Sequence, residues 1–151
     1  MTGFGNCLFY SLSMIIFRNA FYYSNIRHLI CDKLENSNLY NEFIVNRSEY
    51  VKKMRKDKEF GSFLEIWTFC EIFKIKIIIY QRNINDEDYL KQDTDLLDTY
   101  IAGEKYEGNF ALIFDRYVKD EAQIYNHFND LYPKDNNIGI SKEKLEILEK
   151  K

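Results

Sequence analysis

The sequence of 151 residues predicts a single α+β domain. Segments in which apolar residues recur at helical spacing fill the first half of the chain. Segments rich in β-branched residues follow in the second half. The apolar fraction is 46% and there is one Pro, so the chain can bury a core and does not have the composition of a disordered protein.

Four helices are predicted in the first half. The first is a run with apolar residues on nearly every side, which is typical of a buried helix. Ser24 and Asn25 are predicted to cap the second helix and Ser48 the third, while Gly61 and Ser62 interrupt the pattern before the fourth. The predicted spans are residues 7–17, residues 26–34, a third helix that contains Tyr50, Val51 and Met54, and residues 63–73.

Three strands and a last helix are predicted in the second half. The isoleucine-rich segment is the clearest strand, and a polar, acidic excursion separates it from the next one. Ser141 is predicted to cap a charged helix at the end of the chain. The predicted spans are a strand over residues 75–80, the excursion over 82–98, strands over 109–114 and 124–131, and a helix over 142–151.

Charge and composition exclude several classes of protein. Lys and Arg number 21 and Asp and Glu 24, so the net charge of −3 lacks the field expected of a nucleic-acid binder. No apolar run is long enough for a transmembrane helix, and the N-terminus lacks the basic region of a secretory signal. Three Cys without a C-x-x-C pair, and two His, do not have zinc-finger spacing. We therefore expect a cytoplasmic protein with reduced thiols and neither a nucleic-acid nor a membrane partner.

Cys7 lies where a thiol could act as a nucleophile. It follows Gly5 and Asn6 and begins the first predicted helix. The unpaired N–H groups and the positive dipole end of a helix N-terminus stabilise a thiolate and can bind a developing oxyanion. The alternative is that Cys7 is a small apolar residue at the start of a core helix. The local sequence leaves both interpretations open.

His127 could be the base that such a thiol requires. If residues 124–131 form a strand, His127 and Asn129 point to the same face, and the Asn129 amide could hold the imidazole tautomer. The alternative is an ordinary strand histidine in a chain that uses Asn throughout. The remaining His and Cys residues are interpreted as solvated or packing residues: His28, Cys31 and Cys70.

Three sequence blocks follow one another in an informative order. Residues 4–13 read FGNCLFYSLS, residues 50–54 and 60–65 read YVKKM and FGSFLE, and residues 127–129 read HFN. Together they resemble the OTU (ovarian tumour) family of cysteine proteases, which are mostly deubiquitinases. That family opens with Asp-Gly-Asn-Cys-Leu-Phe, continues with Tyr-x-x-x-Met and Trp-Gly-Gly-x-x-Glu, and closes with His-aromatic-Asn or His-aromatic-Asp. The resemblance extends over residues 3–133.

The resemblance implies a papain-like OTU fold, in which a small central β-sheet is packed between helices. It also implies that Cys7 is the nucleophile, that His127 is the general base, and that Asn129 orients the imidazole. The Cys7 thiolate would attack the isopeptide carbonyl after the C-terminal Gly of ubiquitin, and water would hydrolyse the resulting thioester. No metal or cofactor is implied. The oxyanion hole would be formed by backbone amides of Phe4, Gly5 and Asn6.

The implied partners are ubiquitin or polyubiquitin chains, or a ubiquitin-like modifier, bound by a monomer. The catalytic domain would span residues 1–133, followed by a charged tail over residues 134–151. If the protein is a secreted effector, it would act in the cytoplasm of a host cell. Phe4 replaces the family's Asp, so a second function stays open: an OTU-fold protein that binds ubiquitin or another partner without cleaving it. A third is a cysteine protease or acyltransferase with another substrate.

Overall fold

Helices precede strands along the chain, so the predicted α+β class is confirmed. The computed structural model describes residues 5–84, 96–119, 122–131 and 147. The elements are α1 (Cys7–Phe17), a 3-10 turn (Ala20–Tyr22), α2 (Tyr23–Glu35), α3 (Arg47–Met54), α4 (Phe63–Phe73), β1 (Ile77–Ile84), β2 (Leu96–Ala102), β3 (Phe110–Lys119) and β4 (Ala122–Leu131).

The four strands form one mixed sheet in the order β2-β1-β3-β4. β1 and β3 are parallel neighbours in the centre, and the two outer strands pair antiparallel to them. In the register of β3 and β4, Phe114 lies opposite Phe128 and Asp115 lies opposite His127. Because side chains alternate along a strand, this register decides which groups of β4 face the core.

The core lies between the helices and one face of the sheet. That face presents Phe114 and Phe128, whose rings stack with centroids 4.7 Å apart. Phe63, at the start of α4, packs edge-on against both rings. The α1 side chains of Leu8, Phe9 and Leu12 are fully buried in the same core. Helix α1 is therefore held against the sheet near the start of the helix.

The predicted spans of α1 and α4 are confirmed residue for residue. α4 begins with a capping box, in which Ser62 and Glu65 bond each other's backbone. Glu65 is fully buried, and the Tyr50 hydroxyl donates to its carboxylate at 2.6 Å. Burial raises the pKa of Glu65, while these hydrogen bonds act in the opposite direction.

Two predicted helix caps are wrong. α2 begins at Tyr23 rather than at residue 26, because a 3-10 turn capped by the Asn19 side chain leads directly into it. α3 is capped by Asn46, whose side chain accepts from the Glu49 N–H at 3.2 Å, and not by Ser48. Asn and Ser are about equally good caps, so the tertiary path of the chain makes the choice.

The strand predictions need four corrections. β4 begins at Ala122, two residues before its predicted start, because β3 extends far enough to pair with it there. β1 begins at Ile77 rather than at residue 75, because Lys74 adopts a left-handed conformation that ends α4 and turns the chain. β3 runs five residues beyond its predicted end, to Lys119. The excursion predicted over residues 82–98 contains the end of β1 and the start of β2, a strand that the prediction missed.

The predicted terminal helix lies outside the described residues, except for Ile147. This residue is helical and packs against the hydrophobic core. Among the helices in the described part of the chain, none has the length and apolar character needed to cross a membrane.

Candidate active site

Cys7 begins α1 and lies against the edge strand β4. Its Sγ atom accepts the backbone N–H of Phe128 at 3.5 Å. One helical turn later, the Ser11 hydroxyl donates to the carbonyl oxygen of Phe128 at 3.2 Å. Both backbone groups of Phe128 therefore point away from β3, as alternate residues of an antiparallel edge strand do. Two α1 side chains thus attach the start of the helix to one residue of β4.

This attachment brings the predicted nucleophile and base together. The nitrogen that Sγ contacts belongs to the peptide bond between His127 and Phe128. Phe128 points into the core, so His127 and Asn129 share the opposite face, as the sequence alternation predicts. Cys7 and His127 lie near opposite ends of the chain, and the helix-to-strand contact is what makes them neighbours.

His127 is a buried histidine, with 9% of its surface exposed. Its Nδ1 atom is buried and has no hydrogen-bond partner in the part of the chain that the structure describes. Neither Cys7 nor Asn129 therefore bonds Nδ1 in this state. Catalytic hydrogen bonds are often long in unliganded enzymes and tighten when substrate binds.

The Cys7 thiol is 2% exposed, and burial raises its pKa above the ordinary value. The backbone N–H of Phe128 lowers this pKa in part, as do those of Leu8 and Cys7 at the helix start. The burial effect is the larger one. At neutral pH the resting thiol therefore keeps its proton, and a nucleophilic role requires a base to remove it.

The side chain of Asn6, directly before Cys7, is held in the interior. Asn6 is the N-cap residue of α1, yet its side chain does not bond the helix. Its Oδ1 atom accepts from Arg27 at 2.6 Å and from the Lys58 backbone N–H at 2.9 Å. Its Nδ2 atom donates to Asp57 at 3.0 Å. Phe4, which the resemblance assigns to the oxyanion hole, lies outside the described residues.

Arg27 is a contributor to the site that sequence reasoning missed. The side chain is 2% exposed and lies 4.0 Å above the Phe9 ring. It donates to the carbonyl oxygens of Met54 at 2.9 Å and Gly5 at 3.3 Å. Burial lowers the pKa of Arg27. The sequence did contain a signal, because Arg27 lies at helical spacing from Cys31 and Leu34, on the buried stripe of α2.

Asp115 is a second residue that the sequence did not indicate. It lies directly opposite His127 in the register of β3 and β4, so both side chains project from the same face of the sheet. Asp115 is buried, and Arg82 of β1 binds its two carboxylate oxygens at 2.7 and 2.9 Å. These hydrogen bonds raise the pKa of Arg82. Only the strand register shows that Arg82, Asp115 and His127 lie in one row.

The other thiols and the second histidine lie apart from the site. Cys31 and Cys70 are buried in α2 and α4, which agrees with their interpretation as packing residues. His28 is exposed on α2, which agrees with a solvated position.

Comparison with known proteins identifies the family. The sequence model of the family of OTU-like cysteine proteases matches residues 2–128. OVARIAN TUMOR DOMAIN-containing deubiquitinating enzyme 11 of Arabidopsis thaliana is 30% identical over 93 residues, which are 60% of this chain and 38% of that protein. The viral OTU domain protease from Taggert virus shares the fold with a TM-score of 0.61 and 16% identity, over 89% of this chain and 79% of that one.

A ubiquitin-bound OTU deubiquitinase from Wolbachia pipientis wMel has a TM-score of 0.53 and 14% identity, over 85% of this chain and 92% of that one. At these identities the solved structures establish the fold, and the match over residues 2–128 establishes the family. The chain belongs to the family of OTU-like cysteine proteases.

Proposed function

We propose that this protein is a deubiquitinase that hydrolyses the isopeptide bond after the C-terminal Gly of ubiquitin. The observation that carries the proposal is the 3.5 Å contact between Cys7 Sγ and the backbone nitrogen of Phe128, next to His127. The family, the deubiquitinating relative from Arabidopsis thaliana and the ubiquitin-bound Wolbachia protein support the choice of substrate.

The proposed reaction is acyl transfer through a thioester. His127 removes the proton of Cys7 as Sγ attacks the carbonyl carbon, and the negative charge passes to the carbonyl oxygen. Backbone N–H groups at the start of α1 stabilise that oxyanion. The tetrahedral intermediate collapses, the C–N bond breaks, and His127 gives its proton to the departing lysine amine. Water, deprotonated by His127, then hydrolyses the thioester and restores the thiol.

A ubiquitin probe with a C-terminal electrophile tests the proposal. We expect covalent labelling of the wild-type protein and none of Cys7→Ala, because the probe is attacked by the thiol that lies next to His127. Cys31→Ala is the matched control and should keep its label, since Cys31 is a buried thiol of α2.

Two other outcomes would contradict the proposal. Binding of ubiquitin without labelling indicates a non-cleaving binding protein, the alternative that Phe4 suggests. Labelling by the electrophile of a ubiquitin-like modifier, but not by that of ubiquitin, indicates a different substrate.

Asn129→Ala is expected to lower kcat by roughly tenfold to a hundredfold, because the imidazole loses a neighbour that restricts its tautomer and orientation. Asn129 shares the face of β4 on which His127 lies. The measurement is turnover of a fluorogenic ubiquitin substrate. Asn126→Ala, in the same strand, is the control for loss of an Asn side chain. Unchanged kcat in Asn129→Ala would remove Asn129 from the proposed site.

The rate at which iodoacetamide alkylates Cys7 is expected to increase with pH, and the increase should continue beyond about pH 9. Burial places the pKa of this thiol above its ordinary value of 9.0, so the thiolate fraction still increases there. Peptide mass spectrometry would follow Cys7, with the buried Cys31 and Cys70 as internal references. A rate that is already constant from neutral pH upwards would show that the resting enzyme holds a thiolate.

A further inference from the structure

We propose that Asn6 is a positioning residue, whose side chain is held between Arg27 and Asp57 and thereby directs the backbone N–H groups before Cys7 toward the reacting carbonyl. The inference rests on the proposed function, since it names the residues that aim the oxyanion donors. Three observations support it. They are the hydrogen bonds of the Asn6 carboxamide, the hydrogen bond from Arg27 to the Gly5 carbonyl oxygen, and the separate positions in the fold of the residues that bind Asn6.

The Asn6 carboxamide is fixed from both ends. Its oxygen accepts from Arg27 Nη2 at 2.6 Å and from the Lys58 N–H at 2.9 Å, and its nitrogen donates to Asp57 Oδ1 at 3.0 Å. Two N–H donors bind the oxygen and a carboxylate accepts from the nitrogen. A flipped amide would place its nitrogen against the two donors and its oxygen against the carboxylate, so all three hydrogen bonds would be lost. Asn6 is 7% exposed, and a hydrogen-bonded buried amide holds the backbone to which it is attached.

The same guanidinium fixes the peptide bond between Gly5 and Asn6. Arg27 Nη2 donates to the Gly5 carbonyl oxygen at 3.3 Å, so that oxygen points toward the buried guanidinium. In a planar trans peptide the carbonyl and the N–H point in opposite directions. The Asn6 N–H therefore points away from Arg27. The Asn6 N–H is one of the amides that the resemblance to the family assigns to the oxyanion hole.

The anchors come from separate parts of the fold. Arg27 belongs to α2, and Asp57 and Lys58 belong to the segment that joins α3 to α4. The segment that contains Asp57 and Lys58 also packs closely against Gly5, because a Cβ atom on Gly5 would lie 1.5 Å from the carbonyl oxygen of Lys58. The residues before Cys7 are thus enclosed by two distant segments, and each can be altered while α1 and β4 stay unchanged.

Correct positioning of these N–H donors stabilises the transition state more than it stabilises the bound substrate. The negative oxygen forms only as Sγ attacks, so donors aimed at it stabilise a charge that the bound substrate lacks. Misdirected donors therefore lower kcat and leave KM nearly unchanged. A residue that only supported folding would lower the melting temperature without this separation of kcat from KM.

An exchange of the two side chains tests the proposal. Asn6→Asp sets a carboxylate against the carboxylate of Asp57, and we expect kcat on a fluorogenic ubiquitin substrate to fall about tenfold or more with KM within about twofold. In the double variant Asn6→Asp with Asp57→Asn, the amide and the carboxylate have exchanged places. The bonds to Arg27 and Lys58 are kept, and kcat should recover to within about threefold of wild type.

Two further variants keep the test decisive. Asp32→Asn changes a carboxylate of α2 that accepts from Arg55, the residue that follows α3, and this variant should retain the wild-type kcat. Asp57→Ala removes one anchor without adding a charge, and it should lower kcat even if Asn6→Asp does not fold. The proposal is overturned if folded Asn6→Asp or Asp57→Ala has the wild-type kcat, or if the double variant is no more active than Asn6→Asp.

Failure of the proposed function would look different. If the wild-type protein cleaves no ubiquitin substrate, the same variants are compared by the rate at which p-nitrophenyl acetate acylates Cys7, because attack on this ester also forms an oxyanion. Asn6→Asp should then slow the release of p-nitrophenolate, and the double variant, with the wild-type net charge, should restore the rate. Equal acylation rates in all variants would overturn the positioning role independently of ubiquitin.

Discussion

Replacement of His127 by alanine is expected to lower kcat on a ubiquitin substrate by about a thousandfold or more, close to the loss of a whole catalytic triad. The reason lies in the state of the thiol. Burial raises the pKa of Cys7, so few molecules hold a thiolate at neutral pH, and attack depends on a neighbouring base. His127 is the buried one of the two histidines and belongs to the peptide that contacts Sγ. Steady-state kinetics at neutral pH would measure the loss.

The exposed histidine supplies the control for this prediction. His28→Ala removes an imidazole from the solvent side of α2 and should retain the wild-type kcat. Raising the pH should recover part of the activity of His127→Ala, because hydroxide then forms the thiolate that the missing base no longer forms. A His127→Ala protein that turns over at the wild-type rate would eliminate His127 as the base.

Gly5→Ala is expected to lower kcat by about a hundredfold or more, because displacements of about 1 Å in an active site have effects of that order. The new Cβ atom would lie 1.5 Å from the carbonyl oxygen of Lys58 and 2.2 Å from its carbonyl carbon. Both are backbone atoms, so the segment before Cys7 must separate from residues 57–59. That movement breaks the bonds of the Asn6 side chain and releases the amides that precede Cys7.

Gly103→Ala separates this effect from general destabilisation. Gly103 has a φ of 67°, and a Cβ atom there would lie 2.2 Å from the carbonyl oxygen of Ile75. This variant should therefore lose stability as well, but at a turn remote from Cys7. We expect kcat per folded molecule to stay near wild type in Gly103→Ala and to fall in Gly5→Ala. Equal kcat in the two folded variants would contradict the prediction.

The sequence predicted those parts of the fold that depend on local patterns. α1 and α4 are confirmed because each is an apolar run, and α4 begins at a capping box that is visible as Ser62 and Glu65. The strand β2 was missed because its sequence, LLDTYIA, does not alternate between apolar and polar residues, and because it is an edge strand paired only with β1. What stabilises β2 is the register with β1, and no local pattern contains that information.

In the candidate site too, the features that depend on local sequence spacing were predicted. The position of Cys7 at a helix start and the shared face of His127 and Asn129 follow from local spacing, and the structure has both. The roles of these three residues stay predictions. The surroundings of Asn6 could not be predicted, because Arg27 and Asp57 are brought to it by packing between α2, α1 and the segment before α4. Hydrogen bonds between residues so distant in sequence depend on the tertiary fold.

The pair of hydrogen bonds from α1 to Phe128 also determines how the sheet can grow. A free edge strand offers N–H and C=O groups to which another chain can add as a new strand. At Phe128 both groups are taken, by Cys7 and Ser11, so an incoming strand cannot pair there unless it displaces the thiol. The opposite edge is β2, where Tyr100 and Ile101 are exposed. Edge-to-edge association, including aggregation at high concentration, is therefore directed to β2 and away from the cysteine.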